Sequence, residues 1–448
     1  MSRRYSSSRT AFCSFAVMLQ AGILRVAMVV AVLLAGGTGA PGVERFPPPD
    51  FTDHTLPTTT VPDPPATWVE YAFFGGLVLA LALAAYLALK SRSRRGLLGL
   101  TVLSLAVFGF WRGGCICPIG AIQNVAMAMG DPAYLVPLVV IGFFLLPLLF
   151  ALFFGRVFCS AVCPLGAVQE LVAIRPIQVP RWIDAALGTL AYVYLGLAVL
   201  LAATGTAFVI CRYDPFVAFF RLSGGLGMLI VGASFLLIGL FVGRPYCRYL
   251  CPYGVLLRWC SKLSRWRVQI PAETCIQCRL CETTCPYGAI RKPTVAQTPE
   301  QRRAGRRRLG GMLLLAPVLI VAGLWLGRGL DYPLGRLHPT VRLAERLRQE
   351  ERGEVEGTVD MTDAFRGTGR PRGELYAEAQ QIVGRMRLGG SLFGGWVGLV
   401  IAGQLIANSI RRQRIEYQPD RGACVACGRC FWYCPSGRVD HRAGEVGS

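Results

Sequence analysis

Long apolar runs recur along this chain, and they constrain its fold more than any other feature. A bilayer core about 30 Å thick needs about 20 residues of helix, because backbone polar groups must be satisfied internally in lipid. Runs near that length lie at 68–89, 96–111, 133–154, 184–204, 222–242, 309–328 and 390–409. Only 16% of the 448 residues are charged, compared with about 25% in soluble proteins. The sequence therefore predicts an all-α polytopic membrane protein.

Basic residues are concentrated in alternate connections between these runs, and the formal net charge is +21. Lys and Arg mark cytoplasmic loops, so these connections predict which helix ends face the cytoplasm. The rich connections carry Lys90, Arg92, Arg94, Arg95, Arg156, Arg175, Arg181, Arg244, Arg248, Arg258, Lys262, Arg302, Arg303, Arg306, Arg307, Arg308, Arg411, Arg412 and Arg414. The opposite short loops carry Arg112, Asp131, Arg212, Asp214 and Arg221. We expect a protein of the cytoplasmic (inner) membrane and no nucleic-acid partner.

Two cysteine runs share one spacing, and each ends before a proline. They are Cys275-x2-Cys278-x2-Cys281-x3-Cys285-Pro286 and Cys424-x2-Cys427-x2-Cys430-x3-Cys434-Pro435. This spacing is typical of bacterial two-cluster ferredoxins, in which the fourth cysteine of each run binds the other cluster. The alternative, a zinc site, would normally use four ligands in two pairs. We expect one [4Fe–4S] cluster at Cys275, Cys278, Cys281 and Cys434, and a second at Cys424, Cys427, Cys430 and Cys285.

Further cysteines lie at the predicted ends of membrane helices. Two Cys-x3-Cys-Pro motifs fall at cytoplasmic ends, and a Cys-x-Cys-Pro motif with one more cysteine falls on the outer side. The two Cys-x3-Cys-Pro motifs contain Cys159 with Cys163 and Cys247 with Cys251. The outer group contains Cys115, Cys117 and Cys211. The first four supply enough thiols for a further membrane-boundary iron–sulfur site, whereas the outer three also allow disulfide chemistry. For all seven, packing as small apolar side chains is the alternative.

The motifs and the apolar runs together predict the organisation of the chain. A basic N-terminus before an apolar stretch is typical of a signal peptide or a signal-anchor helix, and both interpretations remain open. The expected segments are this signal segment (1–40), an extracytoplasmic Pro/Thr-rich linker (41–67), a five-helix membrane domain (68–254), a cytoplasmic ferredoxin half (255–308), a transmembrane hairpin (309–409) and a second cytoplasmic half (410–448). The hairpin splits one small α+β ferredoxin-like module. Its outer segment, 329–389, is expected to be a solvated helical face or a docking surface.

One combination of motifs is specific enough to suggest a family. The segments FCSAVCPLGAVQE from Phe158 and YCRYLCPYGVLLRW from Tyr246 precede the two ferredoxin runs. Over residues 96–437, this combination resembles the NosR/NapH-type membrane polyferredoxins. The resemblance implies a quinol-linked electron-transfer component, such as a quinol dehydrogenase subunit, or a maturation component of nitrous-oxide or nitrate respiration. The Pro/Thr-rich linker is too short for the flavin-binding domain of the nitrous-oxide-linked members, so flavin is expected only through a partner protein.

Two functions follow from these features. The first is an electron conduit between cytoplasmic [4Fe–4S] clusters and a quinol or an extracytoplasmic redox partner, with no catalytic side chain of its own. The alternative is an accessory factor that assembles or reductively maintains a metalloenzyme through Cys115, Cys117 and Cys211. A bis-histidine membrane haem is excluded, because no histidine falls inside an apolar run.

The loop charges predict that the C-terminus faces the cytoplasm. A fluorescent reporter that matures only in the cytoplasm should therefore be active when it is fused after Ser448. An alkaline phosphatase reporter at the same position should be inactive, because it needs an oxidising compartment to fold. The opposite pattern of reporter activity would show that the orientation is reversed.

Overall fold

The computed structural model describes residues 66–114, 118–174, 176–221, 225–270, 273, 275–294, 298–410 and 413–435. The predicted signal segment, nearly all of the linker, and Cys115 and Cys117 lie outside the described residues. Helices dominate the described chain, and the strands in it are only two residues long. The predicted all-α polytopic architecture is therefore confirmed.

Among the described residues, eleven helices lie between positions 67 and 262. They are α1 (Thr67–Leu89), α2 (Arg94–Ser104), α3 (Pro118–Gly130), α4 (Leu138–Phe154), α5 (Pro164–Val172), α6 (Arg181–Ala203), α7 (Val209–Arg212), α8 (Pro215–Arg221), α9 (Leu226–Gly239), α10 (Pro245–Tyr249) and α11 (Pro252–Lys262). A π-helical segment, Leu105–Trp111, continues α2, and another, Phe158–Val162, precedes α5.

The remaining elements form the ferredoxin halves and the hairpin between them. They are α12 (Leu280–Thr284), β1 (Ile290–Arg291), α13 (Pro299–Arg328), α14 (Asp331–Gly335), α15 (Pro339–Glu351), α16 (Asp360–Gly367), α17 (Arg372–Ser409), β2 (Gln418–Pro419) and α18 (Arg429–Trp432).

The apolar runs correspond to helices of unequal length. Within the described residues, α1, α2 with its π-helical continuation, α6, α13 and α17 are long and apolar enough to cross a membrane. A sixth crossing is present if α8 and α9 count as one bent span. The expected spans at 133–154 and 222–242 were too long, because the structure gives only α4 and α9 there. α4 begins after Pro137 and ends at Phe154, because the φ of 74° at Gly155 cannot continue a helix.

α13 and α17 pack against each other as an antiparallel hairpin. A side-chain carbon at Gly394 would collide with the backbone oxygen of Gly323, and one at Gly327 would collide with that of Gly390. Glycine permits this approach, which matters in lipid because helix association there depends on close packing. The hairpin returns the chain to its starting end, where the Thr294 N–H donates to the Arg414 carbonyl oxygen at 2.9 Å.

The segment between the two hairpin helices has a small core of its own. Helices α14 to α16 precede the first turns of α17, and the core side chains are Val341, Ala344, Leu347, Phe365, Leu375 and Ala379. The apolar run at 390–409 is the second part of the longer helix α17. The first part of α17 belongs to the predicted outer segment 329–389, which is therefore largely helical.

The two ferredoxin halves meet although the hairpin separates them in sequence. Strands β1 and β2 pair antiparallel, with Ile290 opposite Pro419 and Arg291 opposite Gln418. The Arg291 guanidinium also pairs with the Asp420 carboxylate at 3.3 Å. One strand of the pair comes from each half, so the halves form one structural module.

The close approach of α13 and α17 predicts the effect of a single methyl group. Gly394→Ala should lower the melting temperature of the detergent-solubilised protein, because overpacking of a tight contact costs roughly 1 to 3 kcal/mol. Gly403→Ala is the matched control, since Gly403 lies on the same helix and a side-chain carbon there would have no neighbour within 4 Å. Equal melting temperatures for the two variants would contradict the glycine contact.

Candidate functional site

The two ferredoxin runs adopt the same backbone conformation. The residues that flank the second cysteine of each run have positive φ: Gln277 (54°) and Arg279 (64°) in the first run, and Ala426 (53°) and Gly428 (75°) in the second. Such conformations are costly for residues other than glycine, so the two loops have a common, specialised shape. Backbone that alternates in this way forms nests of N–H groups, which are typical of iron–sulfur sites.

Cys285, the fourth cysteine of the first run, lies beside the second run. It lines one cavity together with Cys424, Cys427 and Cys430. Its buried Sγ accepts a hydrogen bond from the Ala289 N–H at 3.4 Å. These four thiols are the ones that we predicted for the second cluster, and the cavity between them supports that assignment, which remains a proposal.

The other three cysteines of the first run form a separate group. The Cys281 thiol interacts electrostatically with those of Cys275 and Cys278, and burial raises its pKa to about 11. Cys434 follows α18 in the second half, and its assignment to this group remains a prediction. The Cys430 thiol interacts electrostatically with Cys281, so the two groups are neighbours.

A single metal ion and a cubane require different spacings of the thiols. Among the described residues, no group of three or more His, Cys, Asp or Glu side chains is placed to hold one metal ion. In a tetrahedral zinc site, a Zn–S distance of about 2.3 Å brings the sulfurs to within about 4 Å of each other. In a cubane, each thiolate binds a different iron, so the sulfurs lie farther apart. The described thiols are therefore not arranged around one metal ion.

The two Cys-x3-Cys-Pro motifs pack against each other. Arg244, which precedes the second motif, donates hydrogen bonds to the backbone oxygens of Cys159 and Ser160 in the first motif. In return, the Gln169 Nε2 of the first motif donates to the Cys247 Sγ of the second at 3.3 Å. The two motifs therefore pack together as one unit, the Cys-x3-Cys-Pro unit.

The second cysteine of each motif has the same structural role. Cys163 and Cys251 are both buried, and each occupies the residue before a helix that a proline opens. Their backbones are both extended, with φ and ψ of −69° and 118° for Cys163 and of −62° and 113° for Cys251. The thiols of Cys159, Cys163, Cys247 and Cys251 therefore belong to one packed unit.

A buried guanidinium lies among these thiols. Arg156 donates to the Cys159 Sγ at 3.7 Å and to the Gly422 carbonyl oxygen at 3.2 Å. Burial alone would lower its pKa, but the thiols of Cys159, Cys251 and Cys247 outweigh burial and raise it. Its Nε has no hydrogen-bond acceptor in the described part of the chain. Because a buried charge without an anion is costly, the residues fit an anionic thiolate centre.

A buried carboxylate connects this unit to the ferredoxin module. The Glu170 carboxylate on α5 pairs with Arg94 at 2.5 Å, Arg429 at 2.9 Å and Arg244 at 3.1 Å. It also accepts a hydrogen bond from the Tyr287 hydroxyl at 2.8 Å. Burial would raise the pKa of Glu170, but the three arginines hold it well below its usual range.

Sequence reasoning did not single out Glu170. It follows the Cys-Pro motif of the first repeat by a few positions, and the second repeat has Arg258 at the equivalent position. The sequence did offer one signal: Glu170 is an acidic residue in an Arg-rich connection that is predicted to be cytoplasmic. Such a residue has many cationic neighbours with which it can pair. Its partners lie far away in the chain, however, and only the fold identifies them.

Cys115 and Cys117 of the outer motif lie outside the described residues. Cys211 is described: it lies on α7, is exposed, and approaches α3 near Gly120. The structure therefore neither brings the outer three cysteines together nor separates them.

Family models identify both types of cysteine motif. A model described as a 4Fe–4S binding domain matches residues 136–181 and again residues 223–271, each match including one Cys-x3-Cys-Pro motif. A second model, also described as a 4Fe–4S binding domain, matches residues 268–291, which contain the first ferredoxin run. The chain therefore carries iron–sulfur binding domains.

Comparison with curated proteins confirms the resemblance to membrane polyferredoxins over part of the chain. The chain is 33% identical to YccM of Escherichia coli over 30% of its own length and 43% of the relative. It is 32% identical to NirI of Paracoccus denitrificans, over 48% of this chain and 34% of NirI. It is 31% identical to the regulatory protein NosR of Pseudomonas aeruginosa, over 31% of this chain and 21% of NosR. Each match thus spans less than half of the relative. No solved structure shows a significant match.

The network around Glu170 predicts a pH-dependent contribution to stability. Glu170→Gln should lower the stability of the protein by about 3 to 5 kcal/mol, because it leaves three arginines without their buried anion. The folded pKa is depressed, so this contribution is complete above the ordinary glutamate pKa of about 4.3 and is lost as the pH falls from there through the lower folded value. The difference in melting temperature should be constant between about pH 5 and pH 8.

Glu378→Gln provides the control for this prediction. Glu378 pairs with Arg370 at 3.1 Å on an exposed surface, where water screens the interaction. We expect little change in melting temperature for this variant. A similar change in both variants would show that the buried network does not hold the module in place.

Proposed function

We propose that this protein is a membrane electron-transfer component that exchanges electrons between cytoplasmic [4Fe–4S] clusters and a quinol or an extracytoplasmic redox partner. The observation that carries the proposal is the Glu170 network, which joins the Cys-x3-Cys-Pro unit to both ferredoxin halves. Iron–sulfur clusters supply one-electron transfer without bond chemistry. Such a role requires that the Cys-x3-Cys-Pro unit and the ferredoxin module be packed together.

The chain's own residues have distinct roles in this proposal. Cys285, Cys424, Cys427 and Cys430 would hold one ferredoxin cluster, and Cys275, Cys278, Cys281 and Cys434 would hold the other. Cys159, Cys163, Cys247 and Cys251 would hold a further centre, with Arg156 supplying the compensating positive charge. Burial raises the pKa of Cys424 to about 12, so the free thiol is neutral and cluster binding must displace its proton.

The orientation and the partners belong to the proposal as well. The loop charges support an inner-membrane protein whose ferredoxin halves are cytoplasmic. A flavin would come only from a partner protein, and a quinol would reach the membrane domain from the bilayer. The accessory role in assembling or maintaining a metalloenzyme uses the same clusters, and it differs in the final electron acceptor.

The first test is to count the clusters. Protein purified anaerobically should contain iron and acid-labile sulfide in equal amounts and show reduced-cluster EPR signals. Cys427→Ser should remove one signal and about four irons per chain. Cys260→Ser is the control, because Cys260 is a half-buried cysteine of α11 outside all of the motifs. A wild-type protein that holds only zinc would refute the proposal.

The second test concerns the electron donor. In liposomes, a reduced quinol analogue should reduce the clusters of the wild-type protein, and Cys251→Ser should slow this reduction at least tenfold while the ferredoxin EPR signals remain. Reduction by dithionite but not by quinol, in wild-type protein with all its clusters, would favour the accessory role. Unchanged quinol reduction in Cys251→Ser would remove the Cys-x3-Cys-Pro unit from the electron path.

A further inference from the structure

A glycine and an arginine precede each Cys-x3-Cys-Pro motif at the same distance. Gly155-Arg156 ends three residues before Cys159, and Gly243-Arg244 ends three residues before Cys247. The two arginines are only 6% and 1% exposed. Burial of a guanidinium is costly unless it interacts with other polar groups, so the fold gives each arginine a role beyond marking a cytoplasmic loop.

The first Gly-Arg pair contacts the second ferredoxin run. The Arg156 guanidinium donates a hydrogen bond to the carbonyl oxygen of Gly422, two residues before Cys424, at 3.2 Å. It also donates to the Cys159 Sγ at 3.7 Å. Arg156 and the Cys424 thiol interact electrostatically as well. One cation therefore lies between a thiol of the Cys-x3-Cys-Pro unit and a thiol of the second run.

The second Gly-Arg pair contacts the residues that follow Cys285. A side-chain carbon at Gly243 would lie only 2.8 Å from the Cβ of Pro286, so the backbone of the pair touches this proline. The Arg244 guanidinium lies over the Tyr287 ring, 5.9 Å from its centroid. The pair is therefore packed against the segment that brings Cys285 to the cavity of the second run.

Arg244 is shared between the same two groups of thiols as Arg156. Its guanidinium interacts electrostatically with Cys247 of the Cys-x3-Cys-Pro unit and with Cys427 of the second run. It also donates hydrogen bonds to the backbone oxygens of Cys159 and Ser160. The two Gly-Arg pairs thus make equivalent connections from the two motifs to one ferredoxin site.

Apolar packing joins the same two groups of thiols. Cys424 and Cys430 of the second run pack against the large buried core that contains Cys251. Conversely, Cys159 packs against the small buried core that contains Cys285. The second-run site therefore lies against the membrane domain through both charge and packing.

The loop of the first run has one side towards the second run and one towards solvent. The Cys281 thiol interacts electrostatically with Cys430 of the second run. Cys278 is exposed, and the neighbouring side chains of Ile276 and Leu280 are 67% and 44% exposed. This loop therefore presents an accessible, partly apolar surface beside one of its cysteines.

We infer that the two Gly-Arg pairs make the second-run site the middle centre of a linear electron path, between the Cys-x3-Cys-Pro unit and the first-run site. Arg156 and Arg244 are positioning residues that place positive charge between the unit and this middle centre. The inference rests on the proposed function and adds the order of its centres. We call the two sites proximal (Cys285, Cys424, Cys427 and Cys430) and distal (Cys275, Cys278, Cys281 and Cys434).

Each step along this path moves one electron, so one centre is oxidised and the next is reduced, and no bond is exchanged. A quinol that becomes a quinone releases two protons and two electrons, and the electrons pass singly through the proximal site to the distal site. The exposed loop around Cys278 then serves a one-electron carrier protein of the cytoplasm, which is reduced. A buried cation favours the more negative, reduced form of a centre beside it, so Arg156 should raise the potential of the proximal centre.

Redox titration followed by EPR tests the positioning role in the full chain, purified anaerobically. Arg156→Gln should lower the reduction constant of the proximal cluster about tenfold, which corresponds to about 59 mV for one electron, and should leave that of the distal cluster nearly unchanged. Arg156→Lys should restore most of the potential, because lysine keeps the charge. Arg265→Gln is the control, since Arg265 is an exposed arginine shortly after α11.

Rapid freeze-quench EPR with a reduced quinol analogue tests the order of the centres. Cys278→Ser alters the distal site only, so the proximal cluster should be reduced at the wild-type rate. Cys427→Ser removes the proximal cluster, so quinol should reduce the distal cluster at least about tenfold more slowly, while dithionite still reduces it fully. The signals lost in these two variants also assign the EPR spectra.

Equal shifts of both potentials in Arg156→Gln, or an unchanged proximal potential, would overturn the inference. Wild-type quinol reduction of the distal cluster in Cys427→Ser would also overturn it, because the distal site would then meet the membrane unit directly. Failure of quinol to reduce any cluster of the wild-type protein is a different outcome. It would refute quinol as the electron donor of the proposed function, while the potentials of the Arg156 variants would still test the order of the centres.

Discussion

The structure depends on one buried carboxylate. Glu170 is almost fully buried, and it forms ion pairs with three arginines that come from α2, from the turn before α10 and from the second ferredoxin run. Ionic groups with little access to water are stable only when every charge has a partner, so these elements are constrained to assemble together. Tyr287 adds the first ferredoxin half to the same carboxylate. The ferredoxin module is thereby held against the membrane helices in one orientation.

The recurring Cys-Pro-x-Gly sequence has a common physical explanation. A side-chain carbon at Gly166 would lie 3.1 Å from the Arg244 guanidinium, and one at Gly254 would lie 3.5 Å from that of Arg156. Each glycine thus leaves room for the arginine of the opposite motif. At Gly120 the nearest atom is the Cys211 Sγ, also at 3.1 Å. The same turn brings a thiol-rich segment against a helix at three places in the chain.

The hairpin explains how one module is built from two distant pieces of sequence. Glycines let α13 and α17 approach closely, and the chain returns to the end from which it left. The strands β1 and β2 then pair, and Cys285 reaches the cavity of the second run. The proposed exchange of the fourth cysteine between the halves would make each cluster site depend on both halves, so neither half is expected to hold its cluster alone.

Hydropathy and cysteine spacing were enough to predict the helical membrane class and the two ferredoxin runs, because both are local properties of the chain. They overestimated the helices at 133–154 and 222–242, since apolar composition does not reveal that α4 begins only after Pro137 or that α9 ends at Gly239. The three-dimensional fold was needed to show that Glu170 joins the two thiol-rich units and that Gln123 accepts a hydrogen bond from the Cys211 N–H. Those contacts join residues that are far apart in the chain, and no local pattern encodes them.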